Sequence, residues 1–554
     1  MLNVIRYLVT LALLGFFVCF ATECWAQPKS VEVAGVEADP TAAKQSAEFG
    51  TLNLVVLCVY PLIMLGIGIW CSTKGNDAEG FFRAGQQVPW WAAGLSIYAT
   101  MLSSITFMAV PAKAYSTNWW FTLNAFSIIL LAPLIVHVYL PFFRQLNLTC
   151  AYEYLELRFN LAMRLFGSAS FIVFQVARTG VVLYLPALAM ATVSDLDTGT
   201  CIVCMGLLTI AITYFGGMEA VIWTDVAQTI LLLAAALLSL FVILGRLDGG
   251  VLENMRAASQ DGKFFPPISF SFNLAKETFW VILIGNGFTS LISYTSNQEV
   301  VQRFMTTTDE KGAARAIWTN AWLTVPSALI FFGVGTALYL FYQQFPSRLD
   351  PDLGRNDAIF PFFMVHELPP GLAGFVVAGI FAAAQPTSSL NSVATAWTTD
   401  FYQRFHPAAS PTALVRVGRL STLVAGVLGM IAALILDVFP VESIWELFLN
   451  IIGLTTGILA GLFSLGILTT RATGVGAVVG VFLSIATLTF VALTHMVHPL
   501  MFGFVGVTST FIGGYLVSLI GQKETRDLKG LTIYTLNTAA AVSGPKDSNA
   551  TDPA

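Results

Sequence analysis

The sequence predicts an all-α membrane protein with about thirteen transmembrane helices. Of its 554 residues, 56% are hydrophobic and only 11% are charged, which is far from the balance of a soluble domain. The apolar residues fall into runs that are each about as long as a helix crossing a bilayer of roughly 30 Å. A soluble globular protein is therefore excluded.

The predicted transmembrane domain covers residues 51–521. The approximate limits of its spans are 51–71, 88–115, 119–145, 160–194, 199–216, 218–246, 270–303, 312–344, 371–405, 412–438, 443–472, 473–497 and 499–521. Two loops on the predicted outer face, 247–275 and 345–370, are long and polar. We interpret the apolar stretch 358–366 in the second loop as a short external gating helix.

Residues 1–26 are predicted to be a signal peptide. Arg6 precedes an apolar run that ends at Phe20, and Ala26 supplies a small residue before the cleavage point. The alternative is an uncleaved additional helix, because the apolar run is of borderline length for a membrane span. Residues 27–50 then form a polar extracytoplasmic segment.

The loop charges predict the side of the membrane on which each terminus lies. An odd number of spans places the termini on opposite sides. With the N-terminus outside, sixteen Lys and Arg residues fall on the cytoplasmic side and nine fall outside. The sequence therefore predicts an inner-membrane protein with residues 522–554 as a cytoplasmic tail. That tail is too short for a kinase or other signalling domain.

Several classes of function are disfavoured by the residue pattern. The net charge of −5 gives no sign of a nucleic-acid partner. No nucleophile, base and orienter appear together at membrane depth, so we predict that the chain is not an enzyme. The CxxC pair Cys201 and Cys204 begins a membrane helix, where packing explains it better than redox chemistry. The five histidines form no ligand cluster, and no organic cofactor is predicted.

One arginine, Arg178, lies about halfway along the apolar run 164–194. At about 1.5 Å per residue its guanidinium is roughly 20 Å from either end of the helix, too deep to reach a headgroup. Inserting arginine there costs on the order of 3 kcal/mol, so such charges are candidates for function by default. Two interpretations stay open. Arg178 binds an acidic substrate, or it pairs permanently with Asp225 or with carbonyls of a broken helix.

Two of the predicted spans contain helix-breaking and polar residues. The span 88–115 carries Pro111 among several Ser and Thr residues, and the segment 279–303 contains Gly285-Asn286-Gly287. Backbone N–H and C=O groups that lose their helical hydrogen bonds at a break are tolerated at membrane depth only inside the protein or beside a water-filled cavity. Paired broken helices in two halves of a chain indicate a transporter's binding site. Each broken helix begins a group of five spans, at about 88–246 and 270–472. Because five is odd, the second group starts on the opposite side of the membrane, and the two groups are inverted repeats.

The chain resembles the sodium/solute symporter family, whose members have a LeuT-type inverted-repeat core preceded by one helix. The resemblance rests on the strings at 81–115, 216–228, 297–318 and 388–402, and it spans roughly residues 51 to 520. It implies uptake of a small organic solute driven by the inward sodium gradient. Transport would proceed by alternating access around a site at mid-membrane, with sodium as the coupling ion.

A first sodium site is implied by this resemblance. The family's backbone-carbonyl ligands fall at Ala99 and Leu102 on the first broken helix and near Phe381. The two adjacent hydroxyls expected to complete the site are replaced by Ala384 and Gln385. Because sodium prefers oxygen ligands, we expect Gln385 Oε1 or water to substitute for them.

A further sodium site of some family members matches Asp225 together with the hydroxyls of Thr387 and Ser388. Sodium coupling is therefore expected, and its stoichiometry is left open.

Within the family the chain resembles the bacterial sialic acid symporters. In these proteins an arginine matching Arg178 binds the substrate carboxylate, which a guanidinium can grip with two parallel hydrogen bonds. Polar groups matching Ser103 and Thr106 lie on the first broken helix, and an aromatic residue near the substrate matches Phe121. The predicted substrate-binding residues are Arg178, Ser103, Thr106, Phe121, Asn124, Ser290 and Tyr294.

The leading hypothesis is a secondary active transporter that imports an acidic sugar or other carboxylate with sodium. One alternative is a symporter for a neutral sugar, polyol or amino acid, in which Arg178 is structural. A second alternative is a sensor or channel-like protein without coupled flux. The predicted partners are the solute and the lipid bilayer, and the chain is expected to work as a monomer.

Overall fold

The computed structural model describes residues 51–72, 78–102, 104–146, 148–191, 197–351, 353, 356–383, 385–439, 444–521 and 526–536. The predicted signal peptide, the segment 27–50 and most of the predicted tail lie outside these residues, as do Ser103 and Ala384. Within the described residues the fold is helical, and the only β-type contact is an isolated bridge between Val88 and Thr307. The fold class is therefore all α, as predicted.

Helices occupy the positions of all the predicted spans. In chain order they are α1 Thr51–Ser72, α2 Ala78–Arg83, α3 Trp90–Met101, α4 Ser104–Ser116, α5 Trp119–Leu146, α6 Glu153–Arg158, α7 Leu161–Ala191, α8 Thr198–Arg246, α9 Val251–Gln260, α10 Phe279–Thr295, α11 Gln298–Met305, α12 Glu310–Gln344, α13 Ile359–His366, α14 Leu372–Ala383, α15 Thr387–Ala396, α16 Pro411–Val438, α17 Ile444–Leu468, α18 Gly474–Thr494 and α19 Phe502–Ile520. Within the described residues, nine helical stretches are long and apolar enough to cross a membrane, or ten with one bent pair. The number thirteen stays a prediction.

Helix α8 contains two of the predicted spans, which meet at a kink. Gly217 has φ 57° and ψ −158°, and these angles are far from helical values. A Cβ at this position would lie 2.9 Å from Phe81 Cδ2 and 3.0 Å from the carbonyl oxygen of Phe81. Only glycine adopts this backbone conformation against such a close neighbour without strain. The kink therefore supplies the turn that the sequence places between spans 199–216 and 218–246.

The first predicted broken helix is present as the pair α3 and α4. The two helices are bent by 56° relative to each other, and Leu102, which caps α3, has an extended backbone with φ −91° and ψ 115°. The freed carbonyls at the end of α3 include that of Thr100, which accepts a side-chain hydrogen bond from another helix. The break is thus satisfied inside the protein, as a membrane-spanning chain requires.

The second break lies between α10 and α11, at Ser296 and Asn297, ten residues beyond the Gly285-Asn286-Gly287 string that suggested it. Helix α10 continues without a break through Gly285, which packs closely against Leu500. A Cβ there would lie 2.5 Å from the carbonyl oxygen of Leu500. The Asn297 side chain accepts a hydrogen bond from Glu299 N at 3.0 Å and so starts α11. This cap fixes Glu299 in the first turn of a short buried helix.

A cluster of ion pairs joins α6 and α7 to the π-helical stretch Trp397–Gln403 that follows α15. Arg164 Nε donates to Asp400 at 2.7 Å, and Glu156 accepts from Arg164 at 2.9 Å and from Arg404 at 2.7 Å. Burial by itself raises the pKa of Glu156. The hydrogen bonds from Arg404 and Arg164 lower it by more than burial raises it, so the pKa lies below its usual value. Asp400 is fully buried, and removing one partner of such a pair costs about 3–5 kcal/mol.

Three arginines that the topology prediction placed in cytoplasmic loops are buried. Arg158 donates to the carbonyl of Gly466 in the last turn of α17 and to those of Thr469 and Ala472 just after it. Arg164 and Arg303 lie in ion pairs. The count of sixteen loop cations thus falls by three, to thirteen. Lys263, counted on the outer side, is also buried, so nine falls to eight. The charge asymmetry between the two sides survives this correction.

Candidate functional site

A small cavity lies where α3, α7, α8, α11 and the α14–α15 junction meet. Its free space is about 30 Å³, enough for one or two water molecules or a cation. It is lined by Ala99, Thr100, Leu102, Arg178, Val182, Asp225, Gln228, Thr229, Leu232, Glu299, Ala382, Ala383, Gln385, Pro386, Ser388 and Ser389. Six predicted site residues therefore share one wall: Ala99, Leu102, Arg178, Asp225, Gln385 and Ser388.

Arg178 is held by an acidic residue that the sequence analysis did not single out. Its guanidinium forms a salt bridge with Glu299 and donates to Ser389 Oγ at 3.3 Å. Nη2 donates to the carbonyl oxygen of Thr100 at 2.6 Å, at the end of α3. The Arg178 side chain is 11% exposed, whereas Glu299 is 1% exposed. One arginine thus bridges both broken helices and keeps some of its surface in the cavity wall.

Glu299 accepts hydrogen bonds from three side chains on two helices, α7 and α15. Gln175 Nε2 donates to its Oε2 at 2.9 Å, and Ser389 Oγ donates to its Oε1 at 2.9 Å. The Arg178 contact completes the set. A buried carboxylate needs such partners, because an uncompensated charge in a low-dielectric interior costs several kcal/mol. These three donors meet that need.

A second ion pair lies beside the first. Arg303, one turn after Glu299 on α11, donates from Nη2 to Asp225 Oδ2 at 3.1 Å, and its side chain is fully buried. Ser96 Oγ donates to the same Asp225 oxygen at 2.5 Å and accepts from Arg303 Nε at 2.8 Å. Ser388 Oγ lies 3.2 Å and 3.1 Å from the two Asp225 oxygens. Asp225 is therefore paired with Arg303 and not with Arg178. Of the two alternatives to substrate binding by Arg178, the pair with Asp225 is absent here and the contact with a carbonyl of a broken helix is present.

The two ion pairs form one network. Arg303 Nη1 donates to the backbone carbonyl of Glu299 at 2.5 Å, and the adjacent hydroxyls of Ser388 and Ser389 contact one pair each. Two arginines and two carboxylates leave this network with no formal net charge.

Three of the residues predicted for the first sodium site, Ala99, Leu102 and Gln385, line this cavity. Gln385 Oε1, however, already accepts hydrogen bonds from Gln228 Nε2 at 2.8 Å and from Tyr60 at 3.1 Å. Gln385 therefore replaces the lost hydroxyls only if one of these donors turns away. Thr387 Oγ1 is buried and has no hydrogen-bond partner among the described residues, although it does not line the cavity. Its lone pairs are free for a cation.

Other predicted residues lie away from this cavity. Phe121 is buried in the core, and Tyr294 accepts a hydrogen bond from Asn320 on α12. Ser290 is buried on α10. None of the described residues Thr106, Phe121, Asn124, Ser290, Tyr294 and Phe381 lines the cavity. Their roles stay predictions, as does that of Ser103, which is outside the described residues.

Several residues of the site were missed by the sequence analysis, above all Glu299, Arg303 and Ser389. A signal for the first two was available. The string 297–318 carries a glutamate and an arginine four residues apart near its start, at the end of the second predicted broken span. Residues at this spacing lie on one helix face. We read Arg303 as a loop cation because the apolar run ends there, so its burial was not anticipated.

The sequence is similar to sodium-coupled transporters over most of its length. A model of the sodium:solute symporter family matches residues 81–484. The sodium/sialic acid symporter NanT of Aliivibrio fischeri is 40% identical over 476 residues, which cover 86% of this chain and 94% of that protein. The sodium/sialic acid symporter SiaT of Proteus mirabilis is 40% identical over 477 residues, which cover 86% and 96%.

The fold is likewise similar to solved transporters. A substrate-bound, outward-open structure of a Na⁺-coupled sialic acid symporter matches with a TM-score of 0.82 and 38% identity, covering 86% of this chain and 100% of that one. Mhp1, a nucleobase-cation-symport-1 family transporter in a closed conformation with bromovinylhydantoin bound, matches with a TM-score of 0.52 and 15% identity, covering 81% and 95%. The second likeness concerns the fold alone. Both are LeuT-fold transporters, and the predicted LeuT-type core is therefore confirmed.

Proposed function

The chain belongs to the sodium:solute symporter family, a family of sodium-coupled secondary transporters and not of enzymes, and from this premise we propose that its solute is an acidic sugar of the sialic acid type. The single observation that carries the proposal is Arg178. Among the described residues that line the cavity, it is the one cation, and it keeps 11% of its side-chain surface exposed. The transporters NanT and SiaT, 40% identical to this chain, are named for sialic acid.

Arg178 is poised to exchange one carboxylate for another. Its present partner Glu299 also accepts from Gln175 and Ser389, so Glu299 keeps two hydrogen bonds when Arg178 turns to a substrate carboxylate. A guanidinium and a carboxylate form two parallel hydrogen bonds, which are strong in a site that excludes water. The cavity of about 30 Å³ is too small for a sugar, so the surrounding helices have to move apart for binding. We propose Ser103, Thr106, Phe121, Asn124, Ser290 and Tyr294 as further contacts in the opened site.

Sodium is proposed to bind at the Asp225 end of the same network. Asp225, Ser388 and Thr387 supply carboxylate and hydroxyl oxygens, and the carbonyls of Ala99, Leu102 and Phe381 with Gln385 Oε1 are proposed for the first site. Hard cations prefer such ligands. The network of two ion pairs is formally neutral, so a substrate carboxylate adds one negative charge that one sodium ion offsets. Coupling then follows from electrostatics, because each ligand is bound more tightly when the other is present.

The Arg178–Glu299 salt bridge also favours a second candidate, a symporter for a neutral solute in which Arg178 is structural. In that case the pair stays closed throughout the transport cycle. The two candidates differ in whether the solute has to carry a carboxylate.

Proteoliposomes with an inward sodium gradient are expected to accumulate labelled sialic acid above its equilibrium level. An equal potassium gradient should give no accumulation, because the energy comes from sodium entry. Sialic acid methyl ester, which has lost the carboxylate charge, should compete poorly, since it cannot form the bidentate contact with Arg178. Accumulation of a neutral hexose in place of the acid would contradict the proposal and favour the second candidate.

We also propose that the protein lies in the inner membrane as a monomer, with its N-terminus outside and its C-terminus in the cytoplasm. The support is the excess of basic residues on one side, which survives the removal of buried arginines from the count. A fluorescent protein fused to the C-terminus is expected to fluoresce, and alkaline phosphatase fused there should be inactive. The opposite pattern would overturn this orientation. A detergent-corrected mass of two chains would exclude the monomer.

A further inference from the structure

A groove unconnected with the solute site lies between the N-terminal ends of α3 and α12. It has a volume of about 490 Å³ and is open to the surroundings along its length. It is lined by Trp90, Arg315, Trp318, Thr319, Trp322 and Leu323. The groove is therefore mostly aromatic, with one charged side chain.

The two helices meet closely beneath this groove. A Cβ at Gly94 on α3 would lie 2.7 Å from Thr319 Cβ on α12, so the backbones approach as near as glycine permits. Trp318 and Trp322 stack on α12 with ring centroids 6.3 Å apart. Trp322 is 62% exposed and Trp90 is 42% exposed. Exposed tryptophans on a membrane-spanning helix are typical of the membrane–water interface, where one part of the ring meets lipid and the other meets polar groups.

Most polar side-chain groups of this groove have no partner among the described residues. Arg315 is exposed and makes no hydrogen bond or ion pair with any of the described residues. The same is true of the indole N–H groups of Trp90, Trp318 and Trp322. Thr319 is different, because its hydroxyl donates to the carbonyl of Arg315 at 2.8 Å. The groove therefore presents one guanidinium and three indole N–H donors around an apolar floor. Among the side chains that line it, none accepts a hydrogen bond from these donors.

We propose that this groove binds an anionic phospholipid of the leaflet that borders it. The phosphate would accept from the Arg315 guanidinium, the ester oxygens would accept from the indole N–H groups, and an acyl chain would lie along Trp318, Trp322 and Leu323. Basic sites beside membrane helices on the cytoplasmic side are suited to anionic headgroups. A groove of this shape at the interface contacts lipid directly, and the lipid supplies both the charge and the apolar chain that its lining matches.

The site adjoins the moving part of the transporter. Trp90 is the first residue of α3, and the other end of this helix carries Ala99 and the Thr100 carbonyl that Arg178 binds. A lipid that holds Trp90 against α12 therefore stabilises one position of the broken helix.

The chain offers a matched control for the charged residue. Arg416 on α16 is the sixth residue of its helix, as Arg315 is on α12. Both arginines are exposed, lie on the same predicted side of the membrane and have no partner among the described residues. Arg416 is not part of the aromatic groove. The substitutions R315Q and R416Q therefore remove the same charge from equivalent positions, with and without the tryptophans.

The test is a thermal-shift titration of the purified full-length protein in detergent, without solute. Phosphatidylglycerol is expected to raise the melting temperature, whereas phosphatidylcholine and free glycerol phosphate should raise it little. R315Q should need at least tenfold more phosphatidylglycerol for the same shift, and W322L should need several-fold more. R416Q should stay within twofold of the unmodified protein. Melting temperatures without lipid show whether each variant is folded.

Three outcomes would overturn the proposal. They are no stabilisation of the unmodified protein by phosphatidylglycerol, equal losses in R315Q and R416Q, or a full shift with glycerol phosphate alone. The last outcome would indicate a site for a free phosphate. Because no sugar or sodium gradient is involved, failure here leaves the proposed transport function untouched.

Discussion

Replacing Arg178 by alanine is expected to lower kcat/KM for sodium-driven sialic acid uptake by about a hundredfold or more. The guanidinium is the charged group of the cavity wall that a substrate carboxylate can bind. Removing one partner of a buried hydrogen-bonded charge pair costs about 2–5 kcal/mol, and each factor of ten corresponds to about 1.4 kcal/mol. Initial uptake rates in proteoliposomes over a range of sialic acid concentrations measure the effect. R178K should recover part of it, since lysine keeps the charge but loses the planar fork.

The single substitution has a second consequence that needs its own control. R178A also leaves Glu299 buried without its cation, and this destabilises the protein whatever Arg178 does in transport. The double variant R178A/E299A removes both charges and should recover thermal stability. If Arg178 binds the carboxylate, the double variant is folded and still fails to transport sialic acid. Recovery of transport in R178A/E299A would show that Arg178 is structural, and the neutral-solute candidate would replace the acidic sugar.

Much of the fold could be predicted from the sequence because each membrane-spanning helix corresponds to a continuous run of apolar residues. The length of each apolar run fixes the length of a helix. The kink at Gly217 and the first break near Leu102 follow from glycine and polar residues within those runs. The second break was harder to place. Gly285 looks like a helix breaker in the sequence, but in the structure it allows α10 to pack against Leu500.

The site was predicted less completely, for a physical reason. A charge in the middle of an apolar run is conspicuous, and Arg178 was found in this way, whereas Asp225 was named from the family resemblance. Glu299 and Arg303 lie at the cytoplasmic end of the predicted span 270–303, where a charge normally meets water. Only the fold shows that α11 turns back into the protein and buries both. Which ion pair a charged side chain forms depends on the tertiary structure. The sequence therefore shows that Arg178 is costly to bury, but it does not show that Glu299 is the partner that offsets this free-energy cost.

Asp225 is expected to control the sodium affinity of transport. D225N should raise the sodium concentration for half-maximal uptake at least tenfold, a change of about 1.4 kcal/mol. The carboxylate is the strongest oxygen ligand at this end of the network, and a neutral amide binds a hard cation less tightly. In the structure Asp225 accepts from Ser96, Ser388 and Arg303. Sodium therefore has to displace at least one donor, and Arg303 is the one whose positive charge a sodium ion can replace.

Asp400 offers a matched control for this prediction. Like Asp225 it is a buried carboxylate paired with an arginine, here Arg164, but it does not line the cavity. D225N leaves the buried Arg303 without its counter-charge, whereas in D400N Arg164 keeps its ion pair with Glu156, so both should lower the melting temperature, D400N by the smaller amount. Only D225N should change the sodium dependence. An equal sodium shift in D400N would mean that the effect comes from general destabilisation. An unchanged sodium dependence in active D225N would place the coupling ion elsewhere. The difference between these two carboxylates therefore separates the coupling role of Asp225 from its role in folding.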